Sequence, residues 1–394
     1  MNARRVLLEL FDAALRAVDG RACTARFLRD VKLPAPVAVF AAGKAASAMA
    51  MGARDVLGEA LHSMLVITKH GHSDPDLGRD PRVLQLETAH PVPDERSLAA
   101  GAELESRVAA LPPNVLPMFL VSGGSSSLVE VLAEGVSLGD LRTLNERGLA
   151  AGWDIATLNA ERVKLSRLKA GGIARLLGAR RALALFISDV PTDDPGVIGS
   201  GLLGRDGSDV DFIERHIIAS VDTAVRAVVE AAQARGLAVE AGGRRFDGDA
   251  AAVAENFLAA LRATHADGLV WGGESTVKVP DIHGRGGRNT HLALAVVRKL
   301  RRGEGLLVLA AGTDGTDGPT CDAGAIVDEH SADRATLAGF DVERAWRDFD
   351  SGSALAAAED LLHTGPTGTN VGDILIGIKQ AAGPLRGEAL PRML

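Results

Sequence analysis

Helices packed on a mainly parallel β-sheet, an α/β fold, are implied by three features of this 394-residue chain. Short β-branched and apolar runs alternate with Ala/Leu-rich stretches of helical period, the rhythm of βαβ units. Runs such as Val37–Ala42 (VAVFAA) are apolar throughout and read as buried strands. Most runs end in a Gly/Ser/Asp turn that leads towards a helix.

In chain order, the first eighteen residues read as an amphipathic helix. Glu9, Asp12 and Arg16 interrupt the apolar residues at helical spacing, which excludes the core of a signal peptide. Val37–Ala42 follows as a strand ended by Gly43, and a helix is expected from Lys44 to about Leu61. Met64–Thr68 is the next strand. Pro117–Val121 runs into Ser122-Gly123-Gly124-Ser125-Ser126-Ser127, and Ala182–Ile187 runs into Ser188-Asp189-Val190. Asp222–Arg235 reads as a helix and Gly242–Arg245 as a loop. Leu237–Ala241 and Gly268–Trp271 are expected strands of a second unit. Leu306–Ala310 is a further strand, running into Ala311-Gly312-Thr313-Asp314-Gly315. The length suits two domains, with the change between Asp222 and Gly248.

Composition narrows the function classes. Hydrophobic residues make up 46% and charged residues 24%, an ordinary globular balance. A formal charge of −8 without a basic tract argues against a nucleic-acid partner. No uncharged apolar run reaches membrane-spanning length, so no membrane partner is expected. Cys23 and Cys321 make neither a metal spacing nor a disulfide framework, which fits a reducing, cytoplasmic setting. With 3% aromatics and no tyrosine, the core must rest on Leu, Val, Ile and Ala.

In open parallel sheets ligands bind beyond the carboxyl ends of the strands, so the turns carry the chemistry. The Ser122–Ser127 turn offers backbone N–H groups and hydroxyls to an anion; it also reads as a tight βα turn without a ligand. It is not a Walker A loop, and Gly43-Lys44 does not complete one, because Ala45 follows. Lys44, where strand meets helix, can reach a phosphate or lie solvated at a helix start. Asp314, Asp317 and Asp322 suit Mg²⁺ or a proton acceptor, or serve as turn caps. Arg285 and Arg288, in a Gly-rich turn before an apolar helix over Leu292–Leu300, suit a carboxylate or phosphate, or form a basic surface loop. Asp189, Asp193 and Asp194 suit Mg²⁺ or helix capping. His70 and His72 lack a third metal ligand, and His90-Pro91-Val92-Pro93-Asp94 is a stiff turn without an assigned role. Phosphate-type, cationic and carboxylate groups on separate strand-end turns together fit phosphoryl transfer, which needs positioning and charge neutralisation more than covalent chemistry.

These residues resemble a known family along nearly the whole chain. The motifs are AAGKAA (41–46), HPVPDE (90–95), VSGGSSSL (121–128), LNAERVKLSRLKAGG (158–172), SDVPTDDPGVIGSG (188–201), GGEST (272–276), GRGGRN (284–289), AAGTDGTDGP (310–319) and TGPTGTNVGDI (364–374). They are similar to the bacterial and archaeal glycerate 2-kinases of the MOFRL type, which have also carried the label hydroxypyruvate reductase. The resemblance implies a Rossmann-like, doubly wound parallel domain over 1–235, a smaller α/β MOFRL domain over 236–394, and a site in the cleft between them. It implies an ATP- and Mg²⁺-dependent kinase acting on the 2-hydroxyl of D-glycerate to give 2-phosphoglycerate. Lys44, Arg288 and Asp314 are the implied catalytic residues. Gly123, Gly124, Ser125, Ser126, Lys169 and Asp189 are the implied nucleotide contacts. Lys44, Asn159, Arg162 and Arg288 are the implied substrate contacts, and Asp189 and Asp193 the implied metal ligands. A homodimer is left open.

The chain departs from the family pattern at Ser125, Val163-Lys164, Ala170, Thr192, Leu202 and Thr290-His291. These departures leave Lys44, Arg288 and Asp314 intact and bear on the acceptor, so a four-carbon tetronate is an alternative to glycerate. An NAD(P)H-dependent hydroxypyruvate reductase is a second alternative, but the chain lacks a GxGxxG turn after a strand. A non-catalytic small-molecule sensor is a third.

Overall fold

The structure, a computed structural model, describes residues 3–34, 36–150, 155–204, 212–243 and 245–380. Arg244 of the expected loop lies outside the described residues. The strands are β1 (Val37–Ala42), β2 (Leu61–Lys69), β3 (Val83–Thr88), β4 (Leu116–Val121), β5 (Ala182–Ile187), β6 (Ile213–Ala219), β7 (Val239–Ala241), β8 (Phe246–Asp249), β9 (Gly268–Thr276), β10 (Leu306–Gly312), β11 (Gly324–Asp328), β12 (Leu361–Leu362) and β13 (Asp373–Lys379). The chain divides into two units. One comprises Asp19–Ser220 with Gly368–Asn370; the other comprises Met1–Val18, Val221–Thr367 and Val371–Leu394.

In the first unit six strands form a parallel sheet in the order β3-β2-β1-β4-β5-β6. β1 and β5 are buried at every residue, as strands covered on both faces must be. This is the doubly wound Rossmann order, and its direction reverses between β1 and β4. Phe40 and Phe119 stack across that seam with ring centroids 5.2 Å apart. After β1 the helix Ala46–Leu57 begins, two residues later than Lys44. After β3 the helix Glu95–Ala109 is started by a capping box between Asp94 and Ser97.

The second unit is not a parallel sheet. Its order is β12-β11-β10-β13-β9-β7, with β8 also on β9. β10 runs antiparallel to β11 and β13, and β13 antiparallel to β9; only β7 and β8 lie parallel to β9. The 313–323 link between β10 and β11 carries no helix, so the chain returns antiparallel rather than crossing over. The helix Arg288–Val297 is buried from Asn289 to Val297 and forms the centre of this unit's core.

The division differs from the expected 1–235 and 236–394. The helix Ala3–Ala17 joins the second unit, where its apolar face (Leu7, Leu10, Phe11) is buried. Arg4 donates to Asp328 at 2.7 Å and also pairs with Asp360, which Arg334 reaches at 2.6 Å. The helix Val221–Gln233 belongs to the same unit, so the change falls at Ser220.

Candidate functional site

In the parallel-sheet unit the turns after β1 and β4 are tied together at the reversal of strand order. Lys44 N donates to Gly123 O at 3.0 Å, Ser122 N to Ala42 O at 3.0 Å and Ala45 N to Ser122 Oγ at 3.0 Å. A Cβ at Gly43 would overlap Ser122, so the close approach requires glycine there. A Cβ at Gly123 would overlap the carboxylate of Asp189 and the carboxamide of Asn370. Asn370 Nδ2 donates to Asp189 Oδ2 at 3.1 Å, which aims that carboxylate over the loop. The His90 ring stands 3.1 Å from where a Cβ on Gly124 would be, and the Lys44 stem 3.3 Å. Ser126 Oγ lies 2.7 Å from Ser200 Oγ, while Ser125 Oγ is buried with no hydrogen-bond partner among the described residues. The loop is thus a turn lined by hydroxyls, with one lysine and one oriented carboxylate beside it.

In the mixed-sheet unit Arg288 opens its helix directly after Gly287. Its Nε and Nη2 donate to the two oxygens of Asp373 at 2.7 and 2.9 Å, and Nη1 pairs with Glu274 at 2.5 Å. Three of its five N–H donors are so engaged, leaving two for a ligand. Burial works against its charge; Asp373 first, then Glu274 and Asp317, more than offset this and hold its pKa above arginine's ordinary value. Asp317 accepts from Asn289 N, Thr290 N and Thr290 Oγ1, each at 2.8 Å, and so caps the Arg288 helix. Burial pushes Asp317 up to about 6 despite these hydrogen bonds. Asp314 is 7% exposed, and its Oδ1 accepts from Thr316 N at 2.9 Å and Thr316 Oγ1 at 3.0 Å. A Cβ on Gly312 would stand 3.4 Å from that oxygen and 3.5 Å from Asn289 Nδ2, which donates to Asp373 at 3.0 Å. Arg288, Asn289, Asp314 and Asp373 therefore form one cluster around the end of β10.

Comparison with known proteins also divides the chain in two, with the first part taking in residues 6–18 and 221–233. Residues 6–233 match a family described as a domain of unknown function (DUF4147), and residues 268–373 match the MOFRL family. A D-glycerate 2-kinase of Thermotoga maritima is 33% identical over 96% of this chain and 98% of its own. The chain belongs to the glycerate 2-kinase family. A relative from Agrobacterium vitis, provisionally named a hydroxypyruvate reductase, is 34% identical over 85% of this chain and 97% of its own. A crystal structure of a Thermotoga maritima glycerate kinase superimposes with a TM-score of 0.84 at 33% identity, covering 96% of this chain and 99% of that one.

Within this family fold several of the expected residues have partners that the sequence did not show. Lys169, expected at the nucleotide, has a carboxylate partner in this structure. Its ammonium is bonded to Glu130, both side chains being 1% exposed, and burial pulls its pKa down against the pull of Glu130. Ser166 Oγ bonds the other Glu130 oxygen. Arg162 reaches Asn159 Oδ1 at 3.4 Å; burial lowers its pKa and Glu130 opposes this. Asn159, Arg162 and Lys169 thus group around a buried carboxylate that the sequence reading overlooked. Asp193 sits in the turn after β5 with a left-handed φ of 50°, and its N donates to Val190 O. Arg285 is held by Asp322, and His70 by Glu87 at 2.8 Å and Arg96 at 2.7 Å. Among the described residues no group of three or more His, Cys, Asp or Glu is arranged to hold a metal ion. Asp373, Asn370 and His90 went unassigned; each lies in a quoted motif, and the signal was the polar residue at a strand end.

Proposed function

We propose that the chain is an ATP-dependent glycerate 2-kinase. The observation that carries this reading is the clasp between the turns after β1 and β4. In a dinucleotide-binding turn the backbone N–H groups after β1 face a pyrophosphate. Here those of Gly43, Lys44 and Ala45 are taken by Ile67 O, Gly123 O and Ser122 Oγ. That disfavours the reductase, and beside the clasp stand the Lys44 side chain and the serine hydroxyls, groups suited to phosphate.

Gly123, Gly124, Ser125 and Ser126 with Lys44 hold the phosphates of ATP. Kinase sites often hold Mg²⁺ by only one or two carboxylates; Asp189, with one oxygen fixed by Asn370, would hold it here with Asp193 as second candidate, and the ion would supply charge neutralisation. Arg288 holds the acceptor's carboxylate with its two remaining donors. Asp314 takes the proton as the 2-hydroxyl oxygen bonds to the γ-phosphorus and the bond to the β-phosphate oxygen breaks, giving 2-phosphoglycerate and ADP. Arg162 and Asn159 are further acceptor contacts. Among the described residues no helix is long and apolar enough to cross a membrane, and Cys23 and Cys321 form no disulfide.

The test is ATP-dependent turnover over D-glycerate and the tetronates, with the product's phosphate position read by NMR. Lys44→Ala is expected to fold and to lose most turnover. Oxidation of NADH by hydroxypyruvate, without kinase turnover, overturns the reading in favour of the reductase.

A further inference from the structure

We propose that Ser200 is a phosphate-binding residue of this kinase, acting as one half of a hydroxyl pair with Ser126. This rests on the reading of Ser122–Ser127 as the phosphate loop. The two Oγ atoms lie 2.7 Å apart. Each hydroxyl has one proton and two lone pairs, so their mutual bond uses one proton and leaves one O–H over. That O–H belongs to the oxygen already accepting a bond, which polarises it towards donation. The pair therefore presents one strengthened donor to an anion, whichever serine gives first.

The backbone argues that the side chain is there for this purpose. Gly199, Ser200 and Gly201 have φ of 60°, 58° and 67°, three successive left-handed residues. Glycine takes that region without strain and serine does not. The chain uses glycine on both sides and keeps a side chain only in the middle. The turn itself does not need the hydroxyl: Ser200 N donates to Val197 O at 2.9 Å, and Ser200 O accepts from Ala170 N at 3.0 Å. Next to the pair, Ser125 Oγ is buried with no hydrogen-bond partner among the described residues, against Gly199, where a Cβ would overlap it. An unsatisfied buried hydroxyl is costly unless a ligand completes it. This flank of the loop thus holds two donors for the oxygens of one anion, as the terminal phosphates of a nucleoside triphosphate would supply.

The experiment compares Ser200→Gly, Ser200→Ala and Ser126→Ala in the full chain. Ser200→Gly relieves the backbone and keeps both main-chain bonds, so a serine with only a structural role tolerates it. The expected result is an unchanged or higher melting temperature, a KM for ATP raised about tenfold, as for loss of a hydrogen bond to a charged group, and an unchanged KM for glycerate. Ser200→Ala is expected to share the ATP defect. A wild-type KM for ATP in both Ser200 variants, or a lowered melting temperature in Ser200→Gly, overturns the proposal. If Ser126→Ala raises KM for ATP while the Ser200 variants do not, the loop reading stands and the hydroxyl pair falls. If Ser126→Ala and Lys44→Ala both leave ATP binding intact, the loop reading fails and this proposal with it.

Discussion

In the proposed function the parallel-sheet unit and the mixed-sheet unit each hold an anion, by different physical means. The first uses neutral groups: hydroxyls and glycines in turns that approach each other closely, with Lys44 alongside. The second uses charge. Arg288 is clamped by Asp373 and Glu274, at the head of a helix buried along its length and capped by Asp317. A large, multiply charged phosphate chain is gripped well by many weak donors spread over a turn. A small carboxylate needs one guanidinium aimed without play, and a partly buried guanidinium must be paired to be tolerated. The difference teaches that loss of function should accompany loss of stability where a side chain pairs the Arg288 charge, and should separate from it in the loop of the first unit and at Asp314.

The sharpest way to break this comparison is Asp314→Asn. As the proposed base, its loss should lower kcat by roughly 10²–10⁴, read by steady-state kinetics. An asparagine keeps a side-chain oxygen that can accept from Thr316, so circular dichroism should show the wild-type fold. Asp373→Ala comes next. It strands Arg288 and removes the partner of Asn289, so activity and stability should fall together. The loss of stability should lie near the lower end of the roughly 3–5 kcal/mol for breaking a buried pair, since the Arg288 side chain is still 34% exposed. A urea titration checks it, and lost activity at full stability would dissolve the contrast between the units. The smallest effect concerns Asp317, which burial raises to about 6 from an ordinary 3.8. Between these pH values the unfolded chain has released the proton and the folded chain still binds it. Its contribution to stability is therefore full below about pH 4 and is lost as pH rises through about 6, by no more than about 3 kcal/mol. The difference in unfolding free energy between the wild type and Asp317→Asn, followed from pH 4 to 7, should show that slope.

Much of the architecture was legible. Val37–Ala42 and Ala182–Ile187 match the expected strands residue for residue, because parallel strands covered on both faces must be apolar throughout. The turns after β1, β4 and β10 were found because Gly, Ser and Asp are concentrated where an apolar run stops. The antiparallel return of β10 into β11 was not legible, since a buried strand reads alike in either direction. The partner of Lys169 was hidden for a related reason: a lysine beside glycines gives no sign of Glu130, 39 residues earlier, which is bonded to it. The allegiance of the helix Ala3–Ala17 was equally hidden. Arg4 finds its carboxylates at Asp328 and Asp360, more than three hundred residues away.

The one-dimensional order of residues determined which segments are strands, where the glycine-rich turns fall and which charged groups stand at strand ends, because these follow from local periodicity and from the backbone needs of each turn. Tertiary structure alone decided which charges neutralise each other and which keep donors for a ligand. Pairing depends on distance in space, and in a low-dielectric interior each buried charge takes the nearest opposite charge that folding brings to it. That is why Lys169 is spent on Glu130, while Arg288, clamped by two carboxylates, still has two donors to offer.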